Sequence, residues 1–305
     1  MKILVFGADG QVGSDLRAWF ACLPQKGGYQ HQITFCTRNE LNLAEVSKIL
    51  DYLKRAAPDL IVNAAAYTGV DKAEVQQDLA FSINRDAVRE MALYCKQNEC
   101  DLIHISTDYV FDGQSHRPYL ESDPLGPTGV YGLSKLAGEN VIREILERHI
   151  ILRTSWVFGA RGDNFVKTML RLAETKGALG VVGDQYGAPT SARAIAASIG
   201  EIIRQIATEP KSDQCWGIYH YSGFPYVSWA EFAREIFEQA TYRGLIPAPP
   251  QVNDINTIDY PTPAVRPANS RLDCSKLKST FGVEPDDWKR SLGVMLDDLK
   301  EVMQN

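Results

Sequence analysis

Several features are missing from this 305-residue chain, and each absence removes a class of function. No apolar run approaches the ~20 residues that a membrane-spanning helix needs, so no membrane association is expected. Lysine and arginine are scattered without a basic run, and the net charge is -6 with a pI near 5.5. That balance argues against a nucleic-acid partner. The six cysteines (Cys22, Cys36, Cys95, Cys100, Cys215 and Cys274) form no CxxC and no Cys/His cluster, so no zinc site is expected. No internal repeat or low-complexity segment is visible. The first residues lack a basic-then-apolar signal, and a reducing cytoplasm is the expected location.

What is present is an alternation of strands and helices. Residues 3–6, 32–36, 60–63, 102–106 and 150–153 read as short apolar strands. Helical patterns fill 13–20, 43–56, 75–97 and 131–148 between or beside them. Such alternation predicts an α/β fold, a Rossmann-type doubly wound parallel sheet covered on both faces. Past about residue 160 the rhythm breaks. Helices are expected at 165–175, 191–206 and 229–238, separated by aromatic and proline-rich stretches. Residues 1–160 are therefore read as mainly a dinucleotide-binding domain. Residues 161–305 are read as mainly a smaller C-terminal substrate-binding cap, with some segments returning to the sheet.

The segment GADGQVG places Gly7, Gly10 and Gly13 directly after the first strand. Gly7 allows a tight turn, Gly10 a close approach to phosphate, and Gly13 close packing of helix on sheet. A helix N-terminus there offers free N–H groups to a pyrophosphate. The second strand ends in Cys36, Thr37 and Arg38, without the acid that usually binds a ribose 2′-hydroxyl. Arg38 suits a 2′-phosphate instead, so NADPH is expected over NADH, with NADH kept as the alternative.

Tyr131 and Lys135 lie four apart in YGLSKLAGEN, one turn of a helix. A tyrosine is a poor proton donor at neutral pH, and a nearby ammonium lowers its pKa. Thr107 ends the strand that begins near Leu102, where its hydroxyl is placed to hydrogen-bond the same substrate oxygen. Ala66, Tyr67 and Thr68 end another strand and are expected along the cofactor.

At these segments the chain resembles the extended short-chain dehydrogenase/reductase superfamily, and within it the dTDP-4-dehydrorhamnose reductase family. The matching stretches are GADGQVGSDL, PDLIVNAAAYTGVDKAE, HISTDYVFDG, YGLSKLAGE, LRTSWVFG, DQYGAPTSA and RPANSRLD. The resemblance implies NADPH-dependent reduction of a C4 ketone on a nucleotide-linked deoxysugar, with Tyr131 as proton donor. It implies that Lys135 binds the nicotinamide ribose and that Gly10, Gln11 and Val12 meet the pyrophosphate. Asn42 and Leu43 match adenine-contacting positions. Thr107 and Asp108 would meet the substrate, and Trp156 would stack on the sugar. Arg266 would clamp the nucleotide diphosphate, with Asn164 and Gln185 reaching nucleotide or sugar.

Some family members bind Mg2+ at a dimer interface. Here Arg193 stands near the expected acid, and Asp297 and Asp298 read as solvated helix residues. No metal is therefore expected, and a monomer and a homodimer both remain open. Other readings also stay open. A 4,6-dehydratase would need an Asp–Glu pair after Thr107, where this chain has Asp108 and Tyr109. A 4-epimerase would use the same tyrosine and lysine. A regulatory subunit like the beta subunit of methionine adenosyltransferase would bind NADP and a partner protein.

Overall fold

The computed structural model describes residues 1–22, 31–208 and 215–304. Its centre is a six-stranded parallel sheet. The strands are β1 (Lys2–Phe6), β2 (Gln32–Cys36), β3 (Leu60–Asn63), β4 (Asp101–Thr107), β5 (His149–Thr154) and β6 (Gly217–His220). They lie in the order β6-β5-β4-β3-β1-β2, so the winding reverses beside β1. In sheets of this kind ligands bind outside the carboxyl ends of the strands, at that reversal.

Strand β1 shows why both faces are covered. In KILVF, Ile3 and Val5 point to one face and Leu4 and Phe6 to the other, and all four are buried. The first face is packed by α1 (Gln11–Cys22). The second is packed by α2 (Ile49–Ala56), α3 (Ala87–Asn98) and α4 (Val130–Ile145). Two later helices, α6 (Ala192–Thr208) and α8 (Ser275–Phe281), return to the α1 face.

A second apolar cluster is built by α5 (Phe165–Ala173), α7 (Trp229–Tyr242) and α9 (Trp288–Gln304). It packs on a parallel strand pair, Ala178–Val182 with Gln251–Ile255. Helix α7 starts on a capping box. Ser228 Oγ accepts from Glu231 N at 3.2 Å, and Glu231 Oε2 accepts from Ser228 N at 2.6 Å.

Several expected helices are shorter or broken. The 43–56 run begins as a 3₁₀ turn at Val46–Lys48, after Asn42 Oδ1 has accepted from Ala44 N and bent the chain. The 75–97 run divides into Gln77–Phe81, a π turn at Ser82–Asp86, and α3. Helix α4 stops at Ile145, because Leu146 is already extended for entry into β5. Helix α8 and the strand pair were not anticipated, and of α9 only the stretch around Asp297 and Asp298 was read as helical. Trp288, Leu292, Met295 and Leu296 do carry a helical spacing, and all four are buried.

The glycine turn is enforced sterically. Gly7 has φ +80°, and a Cβ there would lie 2.7 Å from the Ala65 backbone nitrogen. A Cβ on Gly13 would lie 2.1 Å from the Gly7 carbonyl oxygen, so α1 can sit this close to the turn only without a side chain. Gly13→Ala is expected to lower stability by about 1–3 kcal/mol through overpacking. Chemical denaturation would check it, and an unchanged midpoint would mean that the turn yields without cost.

Candidate active site

The parallel strands deliver their carboxyl ends to one edge of the sheet. There β1 runs through Gly7 and the exposed Gly10 into the free amides at the start of α1, a cradle shaped for an anion. Next to it, at the tip of β2, the Glu40 carboxylate accepts from Thr37 N (2.7 Å) and Thr37 Oγ1 (2.9 Å). These bonds, both to Oε2, hold Glu40 below its usual pKa. Arg38 is exposed at the same tip, and Arg17 lies 4.4 Å over the Phe35 ring close by.

Strand β4 ends in Thr107, and a 3₁₀ turn at Asp108–Val110 follows. Thr107 Oγ1 donates to Asp108 Oδ1 at 2.9 Å and accepts from Tyr109 N at 3.2 Å. The Tyr109 and Tyr131 rings meet edge-to-face at 5.4 Å. Tyr131 is half-buried, and its hydroxyl end lies deep enough that burial pushes the phenol up. A hydrogen bond with Thr107 pulls it back, while Asp108 and Tyr109 push it further up.

The sequence argument expected Lys135 to lower this phenol. In the structure Lys135 is not among the groups that act on the phenol. Lys135 Nζ turns inward, donating to the Ile105 carbonyl at 2.7 Å and lying 3.2 Å from His104 Nε2. Burial dominates Tyr131 in this arrangement, and burial likewise brings Lys135 down to about 8.

The side chains around α4 were mostly unforeseen. Asn84, in the π turn, donates to Ser134 Oγ (2.9 Å) and to the Tyr67 carbonyl (3.1 Å), and its Oδ1 accepts from Tyr67 N (2.9 Å). It therefore ties the half-buried Ala66 and Tyr67 and the exposed Thr68 to α4. Glu139, fully buried, accepts from Ser106 Oγ (2.5 Å) and from Arg153 Nη2 (2.6 Å). The visible signals were an asparagine, Asn84, inside a helical run and an acid eight residues after Tyr131.

Other candidate positions are committed within the protein. Asn42 is half-buried in its turn, and Leu43 packs into the core. Asn164 caps α5, and its amide donates to Gln11 Oε1 (3.0 Å) and the Gly159 carbonyl (2.7 Å). Gln185 is buried and donates to Thr257 Oγ1 at 3.1 Å. Trp156, at φ +48°, stacks on Trp229 with ring centres 3.5 Å apart. Arg266 Nη2 donates to Asp71 Oδ2 at 2.6 Å, while its buried Nη1 has no hydrogen-bond partner among the described residues.

Asp297 and Asp298 are not merely solvated. Asp298 pairs with Arg193 (2.9 Å) and Asp297 with Arg243 (2.9 Å). Among the described residues no cluster of three or more His, Cys, Asp or Glu is placed to hold a metal, and no helix is long and apolar enough to cross a membrane.

Comparison with known proteins agrees with this geometry. The family model of the RmlD substrate binding domain matches residues 1–301. The chain is 42% identical over 291 residues to dTDP-4-dehydrorhamnose reductase of Aggregatibacter actinomycetemcomitans, covering 95% of this chain and 97% of that one. It belongs to the dTDP-4-dehydrorhamnose reductase family. Solved reductases share the whole architecture. The Clostridium acetobutylicum protein superposes with a TM-score of 0.88 at 34% identity, covering 98% and 100% of the two chains. The Bacillus anthracis reductase, solved in complex with NADP, gives 0.85 at 31% identity, covering 97% and 99%.

In this member of the reductase family one carboxyl in the site carries an unusual load. Asp108 is buried, Oδ2 has no hydrogen-bond partner among the described residues, and burial raises its pKa to about 6. Hydrogen bonds from Ser270 and Thr107 offset part of that. A carboxyl whose pKa is raised on folding favours the folded state at low pH and loses that contribution as pH rises through about 6. Asp108→Asn does not ionise. Relative to wild type, its stability is expected to improve between pH 4 and 7 by up to about 3 kcal/mol. Denaturant titrations across that range measure the difference, and a flat difference would place the ionised carboxylate in a better solvated setting.

Proposed function

We propose that the chain reduces the C4 ketone of dTDP-4-dehydro-L-rhamnose to dTDP-L-rhamnose with NADPH. The observation that carries this is the junction of Tyr131 with Thr107 at the carboxyl end of β4, on the sheet edge that holds the glycine turn. The glycine turn fits a dinucleotide pyrophosphate, because Gly7 and Gly13 let backbone pack on backbone and so bring the start of α1, with the exposed Gly10 before it, to the sheet edge. The bound dinucleotide would supply the hydride.

The chain's own residues supply the rest. Gln11 and Val12 present amides to the pyrophosphate, and Gly10, whose own amide donates to the Gly7 carbonyl at 2.9 Å, meets it by close backbone approach. Arg38 meets the 2′-phosphate, while Thr37 draws the Glu40 carboxylate back onto the tip of β2 through Oε2. NADH remains the alternative cofactor. Asn42 and Leu43 border the adenine, and Ala66, Tyr67 and Thr68 line the cofactor beside Tyr131. Tyr131 donates its proton to the oxygen that becomes the C4 hydroxyl, and Thr107 holds that oxygen in place. Asp108 orients Thr107. Lys135, once it swings outward, binds the nicotinamide ribose and brings a positive charge to the phenol.

The unmatched Nη1 of Arg266 supports a diphosphate clamp, since a buried guanidinium donor without a partner is costly. Trp156, held by Trp229, borders the sugar. Asn164 and Gln185 act by holding the loops that surround it. In this reading residues 1–160 mainly bind the dinucleotide and residues 161–305 mainly bind the sugar nucleotide. The reaction belongs in the cytoplasm, carried out by a monomer or homodimer without a metal.

Two substitutions test the assignment. Tyr131→Phe should lower kcat by roughly 10²–10⁴-fold while NADPH still binds, as followed by NADPH oxidation and by fluorescence titration. Full activity in that variant would remove Tyr131 as the acid. Arg38→Ala should weaken NADPH by about 10–100-fold and leave NADH almost unchanged. An unaltered cofactor preference would exclude Arg38 as the phosphate contact.

A further inference from the structure

Beneath Tyr131 lies a line of polar side chains that ends on Lys135, and its first two members, Asn63 and His104, are not used by the reduction as described. Asn63 ends β3, His104 lies within β4 and Lys135 sits on α4, and all three are buried. Asn63 Nδ2 is 3.0 Å from His104 Nδ1, and His104 Nε2 is 3.2 Å from Lys135 Nζ.

Hydrogen-bond direction along this line is fixed from one end. Asn63 Oδ1 accepts from Ala65 N at 3.1 Å, which turns Nδ2 toward the ring. An amide nitrogen only donates, so His104 Nδ1 accepts and carries no proton. Burial keeps the ring neutral, so its single proton sits on Nε2. That N–H faces Lys135. An ammonium has three donors and no acceptor, so it repels an N–H; a neutral amine has a lone pair and accepts from it.

We propose that Asn63 and His104 are positioning residues: by presenting Nε2–H to Lys135 they hold the lysine inward as a neutral amine and release it toward Tyr131 as an ammonium. The proposal rests on the reductase reading of Tyr131 and Lys135. The groups facing this site agree with it. On α4, Glu139 favours the ammonium, but Ser106 and Arg153 of β5 already engage that carboxylate. From β5, His149 adds to the positive field at His104. Asp108 and Tyr109, from the turn after β4, act on Tyr131. Burial brings Lys135 down to about 8, so as pH rises through that value the neutral amine, and with it the inward position, is favoured. With the proton goes the charge that assists Tyr131, and turnover should fall on the alkaline side.

The ring can be examined in the intact protein without any substrate. Nitrogen NMR of histidine-labelled wild type should show His104 protonated at Nε2 and bare at Nδ1. A ring protonated at Nδ1 would overturn the proposal, whatever the enzyme turns over. Asn63→Asp replaces the donor with an acceptor, so the ring proton moves to Nδ1 and Nε2 accepts from the ammonium. His104→Gln offers Oε1 to the lysine in the same way. In both variants the alkaline limb of kcat should move up by about one pH unit, a tenfold gain in the lysine's proton affinity. A merely structural role would lower kcat at every pH and leave the limb in place, and that result in both variants would also overturn the proposal. A wild type that oxidises no NADPH with the keto sugar would count against the reductase reading, while the ring measurement would still decide the tautomer.

Discussion

Helix α4 carries both Tyr131 and Lys135, and a buried ion pair fixes where that helix lies. Glu139, two turns beyond Tyr131, points into the sheet and meets Arg153 of β5 with neither side chain exposed. Arg153 donates from Nε and Nη2, Ser106 adds a third donor, and the guanidinium lies 5.1 Å over the Phe111 ring. A buried pair of this kind adds little net stability over an apolar contact. Losing one partner, though, strands a charge and costs about 3–5 kcal/mol. The pair therefore acts as a register pin: sliding α4 along the sheet would separate two buried charges.

Close approach completes the pin. A Cβ on Gly132 would lie 2.2 Å from the Tyr109 carbonyl oxygen, and one on Gly138 would lie 2.1 Å from the Asn84 carbonyl oxygen. The backbone of α4 thus touches the turn after β4 on one side and the π turn on the other. Glu74 Oε1 accepts from Val130 N at 2.9 Å and caps the helix from 56 residues away, where the helix dipole favours an acid. In YGLSKLAGE the tyrosine, both glycines, the serine, the lysine and the glutamate each have a distinct steric or polar task. Leu133, by contrast, is exposed.

Much of this was legible without coordinates. Strand β1, the glycine turn and α1 follow from alternation, φ-permissive residues and a helical stripe, all within about twenty residues. The Tyr131–Lys135 spacing is equally local. The turning of Lys135 toward β4 was not, because His104 lies 31 residues away and its own partner, Asn63, a further 41. The same holds for Asn84, which reaches Ser134 across 50 residues. Polar residues in apolar strands read as interruptions until the crossovers bring them side by side. Asn164 and Gln185 show the opposite case: their amides suit a ligand by type, and in the structure they hold protein partners distant in sequence, Gln11 and Thr257.

The two halves of the chain meet where the candidate sugar site would be. Asp71, just past the cofactor-side loop, accepts from Arg266 Nη2 and, at 3.2 Å, from Ala264 N. A loop of the C-terminal half is thereby tethered to the segment that Asn84 ties to α4. An exposed ion pair alone would contribute little. Here the carboxylate also takes a backbone amide, so the loop's path is set along with the arginine. That placement leaves Nη1 buried beside Tyr109, whose phenol burial pushes up to about 12. Electrostatics at the site therefore rest on desolvation: Tyr131, Tyr109 and Asp108 all bind protons more tightly than they would in water. Such a site keeps its acids protonated until a positive charge arrives, and in the proposed reduction the ammonium of Lys135 has the task of making Tyr131 give its proton up.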